Sequence, residues 1–335
     1  MQKRIVSSQE EGRRLERYLE KQLPRAPKSL LYKLLRTKAV KVNGKRVQDP
    51  KYSLSSGDQV EIYLADARIA ELQESDTTLY NSKQILYGMS QVQVLYDDEN
   101  LIIFNKPAGM LSQKDRADAI SLTEIGAAII RRNQEEIGGF CPGVCNRLDR
   151  NTSGAVIMAK TVRAAQAINE MIREGKIHKF YLAIVVGECG WKDTKLLTHY
   201  WHKDPKRNTV TVSDLPTGLP DEAVVKCRCH VERCMKDHSL SLLRIELITG
   251  KGHQIRAQLA HMGYPILGDP KYGVPIPGGS SISARFLPDP SRSAQMLHAH
   301  QLHFTECPPL LSAMEDAVVT APPPQAMDKV LAAFH

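Results

Sequence analysis

Apolar residues fall at helical spacing twice near the start of the chain. Over residues 11–23, Leu15, Tyr18, Leu19 and Leu23 share one face, with charge on the other. After Pro24 and Pro27 a second stripe runs through Leu30, Leu31, Leu34 and Leu35. Strand alternation follows. Val40-Lys41-Val42 leads into Asn43-Gly44, a dipeptide favoured in tight hairpin turns, and Gly57-Asp58 opens onto Val60-Glu61-Ile62-Tyr63. These signals predict a small α/β module over residues 1–64. Residues 65–90 lose periodicity and read as a linker.

A larger unit is expected over residues 91–310. Val92–Tyr96 and Leu101–Phe104 read as strands around a turn at Asp97–Asn100, and Ser121-Leu-Thr-Glu124 is a capping box opening a helix to about Arg132. Ala155–Ala159 is a buried strand. Ala164, Ala167, Ile168, Met171 and Ile172 predict an amphipathic helix ending near Gly175. Lys179–Val186, Ala223–Cys234 and Ser239–Thr249 read as further strands, and His253–Met262 as a helix stopped by Gly263. Strands outnumber helices without alternating regularly with them, which disfavours a doubly wound parallel sheet and favours an α+β fold. Residues 311–335 read as a C-terminal tail with a helix.

The chain has 335 residues, 42% of them hydrophobic and 24% charged, enough for a folded core. Leu182–Val186, among the longest apolar runs, is far short of a membrane span, and residues 1–25 hold no stretch of signal-peptide length. A soluble, cytoplasmic protein with no membrane partner is expected, acting as a monomer. The net charge of +8 is unevenly placed. Residues 1–64 carry 15 basic and 7 acidic side chains, and the rest of the chain balances at zero. Between Arg25 and Arg46 there are eight basic residues and no acidic one. A field of one sign this dense suits a polyanion, and nucleic acid before others.

Seven cysteines without a secretion signal argue for reduced thiols. Cys227, Cys229 and Cys234, near His230, lack the paired C-x2-C knuckles of structural zinc, and in a strand Cys227 and Cys229 would simply share a face. Gly250-Lys251-Gly252-His253 lacks the first glycine and the hydroxyl residue of a phosphate loop. The prominent segment is Asn146-Arg147-Leu148-Asp149-Arg150-Asn151-Thr152-Ser153-Gly154. An Asp between two Arg among turn formers is either an anion held ionised in a positive field or a structural turn residue. The residues alone leave both readings open.

Several motifs together carry a resemblance. "NRLDRNTSGAVIMAK" resembles the H-R-L-D-x-x-T-S-G signature of the RluA-type RNA pseudouridine synthases. "VLYDDENLIIFNKPAGM", "KFYLAIVVG", "LITGKGHQIRAQLAHMGYPILGDPKYG" and "LHAHQLHF" are similar to that family's remaining blocks, in order, from about Val92 to Phe304. Arg14–Tyr63, with "RTKAVKVNGKRV" and "LSSGDQVEI", looks like the S4-type RNA-binding domain. The resemblance implies a mixed, largely antiparallel sheet with flanking helices and a central cleft, preceded by the S4-like domain.

The implied reaction breaks the C1′–N1 bond of uridine, turns the base and rejoins it through C5. It needs no redox change or external group, so no cofactor and no metal are expected. The uridine has to be flipped out of its stack to be reached. By resemblance Asp149 is the nucleophile or base, Arg256 its basic partner, and Tyr181 the ring that stacks on the uracil, with a hydroxyl that accepts the C5 proton. Arg147 and Lys106 are implied RNA contacts, and so, in the S4-like domain, are Lys28, Lys33, Arg36, Lys38, Lys41 and Lys45. The implied partner is ribosomal RNA of the large subunit, with transfer RNA the other substrate of such enzymes. The chain departs from the family at Asn146, at Lys251-Gly252 and at Gln258, positions expected to alter hydrogen bonding to RNA. His253, His261, His298 and His300 read as scaffold or RNA-facing. A non-catalytic RNA-binding or ribosome-assembly factor is the rival reading, against which the joint presence of Asp149, Tyr181 and Arg256 speaks. A metal-dependent nuclease would need an acidic cluster that the sequence lacks.

Overall fold

The computed structural model describes residues 1–73, 83–115, 119–133, 142–237, 239–273, 286–287 and 295–334. The two leucine stripes fold as α1 (Leu15–Gln22) and α2 (Lys28–Arg36), each turned inward. They cover a four-stranded antiparallel sheet of β1 (Gln2–Ile5), β2 (Val40–Val42), β3 (Lys45–Arg46) and β4 (Gln59–Ile62), in the order β1-β4-β2-β3. Asn43 and Gly44 take φ of 50° and 75°, as a two-residue type I′ hairpin turn requires.

The expected linker is instead partly helical. In α3 (Asp66–Gln73), Ile69 and Leu72 complete the N-terminal core, and in α4 (Lys83–Gln91), Ile85 enters the larger one. With so few inward residues apiece, these helices have little periodicity for the sequence to display.

The larger core is built on one eleven-stranded sheet. Its strands are β5 (Gln93–Asp97), β6 (Leu101–Lys106), β7 (Gly143–Val144), β8 (Ser153–Ala159), β9 (Ile177–Val186), β10 (Lys195–Asp204), β11 (Thr209–Ser213), β12 (Ala223–Cys234), β13 (Leu240–Leu247), β14 (Leu297–Phe304) and β15 (Val318–Thr320). The order is β11-β10-β12-β13-β9-β14-β8-β6-β5, with β15 added on β14 and β7 on β8. Among the described strands of this sheet only β14 and β8 pair in parallel, through His298↔Ser153 and Ala299↔Gly154, so the sheet is mixed and largely antiparallel.

β8 is apolar at nearly every position because both its faces are covered. Val156 and Met158 pack beneath α4 and α5 (Leu122–Asn133), while Ala155, Ile157 and Ala159 meet α6 (Val162–Glu174). The predicted capping box is half formed: Ser121 N–H donates to Glu124 Oε2 at 2.9 Å, but Ser121 Oγ donates to the same oxygen at 2.7 Å and Glu124 N–H goes to the Ser121 carbonyl at 3.1 Å. Cys227 and Cys229 do share one buried face of β12, their sulfurs 3.8 Å apart.

The C-terminal segment carries a helix and packs on the body. β15 zips onto β14, and Met327 and Val330 of α8 (Gln325–Leu331) are buried in the main core. The N-terminal module leans on α6, where Gln166 Nε2 donates to Gly12 O at 3.2 Å. No helix among the described residues is long and apolar enough to cross a membrane.

Candidate active site

Asp149 sits on the loop that enters β8, and both sides of that loop are pinned. Ser112 Oγ donates to Leu148 O at 2.9 Å and accepts from Leu148 N–H at 3.0 Å. Gly109 N–H donates to Arg150 O at 2.8 Å, and Arg150 Nε returns a bond to Gly109 O at 3.1 Å. Gln295 Nε2 donates to Thr152 Oγ1 at 2.8 Å. A carboxylate with a fixed backbone on either side is pre-organised for chemistry.

Lys106 completes this support and corrects an expectation. It does not face RNA: it is fully buried beneath the loop. Its Nζ donates to Pro107 O at 3.0 Å, Met110 O at 2.8 Å and Arg150 O at 3.1 Å. Burial pushes its pKa down to about 7, against the pull of the Asp149 charge. Three carbonyl acceptors match the three N–H bonds of the ammonium form.

Arg256, on α7 (Gln254–His261), reaches across 107 residues of sequence to bring its Nη1 within 2.8 Å of Asp149 Oδ2. The other edge of its guanidinium is held by Asp269, with Nε to Oδ2 at 2.7 Å and Nη2 to Oδ1 at 2.9 Å. Burial works against the guanidinium charge, but the hydrogen bonds and charges of Asp269 and Asp149 outweigh it, and the Arg256 pKa is raised. Asp269 would likewise be disfavoured as an anion by burial, yet Arg256 and the N–H groups of Tyr272 and Lys271 hold its pKa below the usual range. A fork gripped along one edge presents its remaining nitrogen to Asp149 in a fixed direction.

Tyr272 and His253 flank this pair. The Arg256 guanidinium lies 5.0 Å from the centre of the Tyr272 ring, and the Tyr272 hydroxyl is 2.8 Å from His253 Nδ1. His253 Nε2 is 3.9 Å from Asp149 Oδ2, so this histidine belongs to the site itself. It holds a left-handed φ of 55° at the cap of α7, a conformation that costs a non-glycine residue energy and recurs at functional sites. Burial lowers its pKa, opposed by Asp149. Neither Asp269 nor Tyr272 was expected. Both lie in the block "LITGKGHQIRAQLAHMGYPILGDPKYG", which marks their neighbourhood in the sequence but not their contacts with Arg256 and His253.

Tyr181, on β9, is 94% buried yet lies within the field of Asp149. Burial first, and then that negative charge, push its pKa up, so the phenol stays protonated. Its hydroxyl makes no hydrogen bond among the described residues, which leaves it available to a ligand. Asp149, Arg256 and Tyr181 therefore converge, from the loop before β8, from α7 and from β9. Arg147, two residues before Asp149, is exposed, its Nη1 3.5 Å from Gln113 Oε1.

The expected basic residues of the N-terminal module are on the surface. Lys28, Lys33, Arg36, Lys38 and Lys45 are exposed, while Lys41 is half-buried with its ammonium 4.8 Å from the Tyr63 ring centre. The departures from the family pattern bond within the fold. Asn146 bonds the β8 backbone, with Nδ2 to Ala155 O at 3.2 Å and Oδ1 from Ile157 N–H at 2.8 Å. Gln258 is fully buried, and Gly252 O accepts from Trp201 Nε1 at 3.1 Å.

The chain is similar to known proteins in both of its parts. The family model described as "RNA pseudouridylate synthase" matches residues 100–261, and that of the S4 domain matches residues 13–60. The "Ribosomal large subunit pseudouridine synthase C" of Escherichia coli (strain K12) is 31% identical over 274 residues, spanning 80% of this chain and 78% of the relative. The protein of that name from Vibrio vulnificus is 31% identical over 263 residues, spanning 78% and 77%. Among solved structures, "Human RNA Pseudouridylate Synthase Domain Containing 4" superposes with a TM-score of 0.60 at 21% identity, covering 75% of this chain and 96% of that one, a likeness of fold.

Proposed function

The chain belongs to the RluA-type RNA pseudouridine synthases, and from that membership we propose that it isomerises uridine in large-subunit ribosomal RNA with Asp149 as its catalytic carboxylate. The observation carrying the reading is the grip of Arg256 on Asp149, itself set by the bidentate Asp269.

In this reading the uridine is everted into the cleft and its uracil stacks on Tyr181. Asp149, aimed by Arg256, acts at the sugar–base junction as nucleophile or base. The C1′–N1 bond breaks, the base turns, and C1′–C5 forms. The C5 proton leaves and N1 gains one, so the product is an isomer of the substrate. Because burial keeps Tyr181 protonated, its hydroxyl serves the C5 proton by passing its own proton on as it accepts. Arg147, two residues before Asp149, and Lys28, Lys33, Arg36, Lys38, Lys41 and Lys45 on the N-terminal module hold phosphates and position the RNA without reading its sequence. The same reading has the chain act as a monomer in the cytoplasm.

Asp149→Asn tests it. The change keeps size and polarity but removes the charge, so release of tritium from 5-tritiated uridine in ribosomal RNA should vanish while RNA affinity stays within about twofold. Undiminished release would remove Asp149 from the chemistry.

A further inference from the structure

α7 carries a second arrangement besides Arg256. Gln254 Oε1 accepts from Lys251 N–H at 3.2 Å and from Thr249 Oγ1 at 2.9 Å, while its Nε2 donates to Lys226 O at 3.1 Å and to Gln258 Oε1 at 3.1 Å. A backbone carbonyl can only accept and a backbone N–H can only donate, so the Gln254 amide has one permitted orientation. That fixes Gln258 in turn, whose Nε2 points to His199 Nδ1 at 2.9 Å. An imidazole nitrogen that accepts a hydrogen bond carries no proton, so the proton of His199 is on Nε2. Nε2 lies 3.5 Å from Asp214 Oδ1, and His261 Nε2, at the end of α7, meets the same oxygen at 3.3 Å. The two rings stand edge to face, 5.1 Å apart.

His199, Asp214 and His261 could converge on one cation, their ligand atoms all within 4.8 Å of one another. The tautomer argues otherwise. A metal at His199 Nε2 needs a proton on Nδ1 and an acceptor to receive it, whereas Gln258 presents a donor there. The trio is a clasp, in which His261 Nε2 is hydrogen-bonded to Asp214 Oδ1 and His199 Nε2 lies near the same oxygen.

The clasp fastens the β10–β11 hairpin, whose other ties run to the same side. Trp201 Nε1 bonds Gly252 O, Val210 N–H donates to the Tyr272 hydroxyl at 2.8 Å, and Lys271 Nζ donates to Asn208 O at 2.6 Å. All of these end on residues 249–272, the segment that brings His253, Arg256 and Tyr272 to Asp149. The hairpin carries exposed Lys203, Lys206 and Arg207, and the Lys203 charge reaches His253. We propose that His199, Asp214 and Gln258 are positioning residues that lock the β10–β11 hairpin against α7, so that its basic tip meets the RNA in a preset orientation beside Asp149. The RNA half of this statement rests on the function proposed above.

Asp214→Ala is the first test, because that side chain is 76% exposed and the fold does not depend on it. Amide hydrogen exchange across β10 and β11 should quicken about tenfold, and KM for ribosomal RNA should rise about fivefold with kcat within about twofold. Asp214→Asn, which keeps an acceptor oxygen, should behave as wild type. Gln258→Leu, provided its circular dichroism is native, should match Asp214→Ala, and the double variant should be no worse than either single. Unchanged exchange and KM in Asp214→Ala would overturn the clasp, and so would a fall in kcat alone, which would tie these residues to Arg256. Stoichiometric zinc binding by the intact protein, lost in Asp214→Ala, would overturn it in favour of a metal site. If the wild type isomerises no ribosomal RNA, the proposed function fails, while the exchange measurement still decides whether the hairpin is clasped.

Discussion

At the scale of single residues, the site is an arrangement of buried charge that no one of its members could sustain alone. Arg256 is buried because two carboxylates share it, and Asp149 can be aimed because Asp269 takes the rest of the fork. Asp149 and Arg256 were legible in the sequence through their motifs. Asp269 was not, since a carboxylate in a turn looks the same whether it faces water or an arginine. Lys106 was misread for a related reason: a lysine before a Pro-Ala-Gly turn gives no sign of being buried. Its structure makes a prediction with a definite sign. The folded-state pKa, near 7, lies below the unfolded value of about 10.4. Between those values the unfolded chain binds more protons at this residue than the native chain, so stability contributed here rises with pH. Lys106→Met leaves the carbonyls of Pro107 and Met110 without a donor and Arg150 O with only its bond from Gly109 N–H, and should destabilise the protein by about 2–4 kcal/mol. Urea unfolding at pH 7 and pH 9 should find the gap between wild type and variant wider at pH 9, and a constant gap would mean that Lys106 does not titrate in this range.

At the scale of elements, the strand carrying the site is held by one close approach. β8 and β14 run in parallel at the centre of an otherwise antiparallel sheet, and Gly154 makes this possible. Its φ is 118°, and a Cβ there would lie 2.2 Å from Ala299 O, a backbone atom with nowhere to go. Gly154→Ala should therefore lower Tm by about 8 °C or more and reduce activity along with it, as scanning calorimetry beside the tritium assay would reveal. A variant that melts with the wild type would mean that β14 can move aside. The sequence marked this glycine as part of a motif and marked β8 by its apolar run, α5 by its capping box, α6 by its periodicity and α7 by its glycine stop. It did not reveal the β10–β11 hairpin, β15 or the helices α3 and α4. Those elements bury few side chains each, and it is their neighbours that make them regular.

At the scale of the whole molecule, charge is segregated: a basic module leans on α6 of a body whose formal charges cancel. If Lys33, Arg36 and Lys38 each meet a phosphate, replacing all three with Glu should weaken RNA binding and flatten the plot of log affinity against log salt by roughly 2. An unchanged slope in filter binding from 50 to 300 mM salt would place the RNA anchor elsewhere. What the sequence alone determined were the quantities that add up along a chain: the two-part layout, the excess of positive charge, the strands and helices with strong periodic burial, and the motifs in which Asp149, Tyr181 and Arg256 stand as candidates. What only the tertiary structure decided were the partners. Asp269 behind Arg256, His253 at the carboxylate, Lys106 beneath the loop, and Gln258 setting the tautomer of His199 all depend on distances between segments far apart in sequence, and burial and hydrogen bonding are properties of those distances.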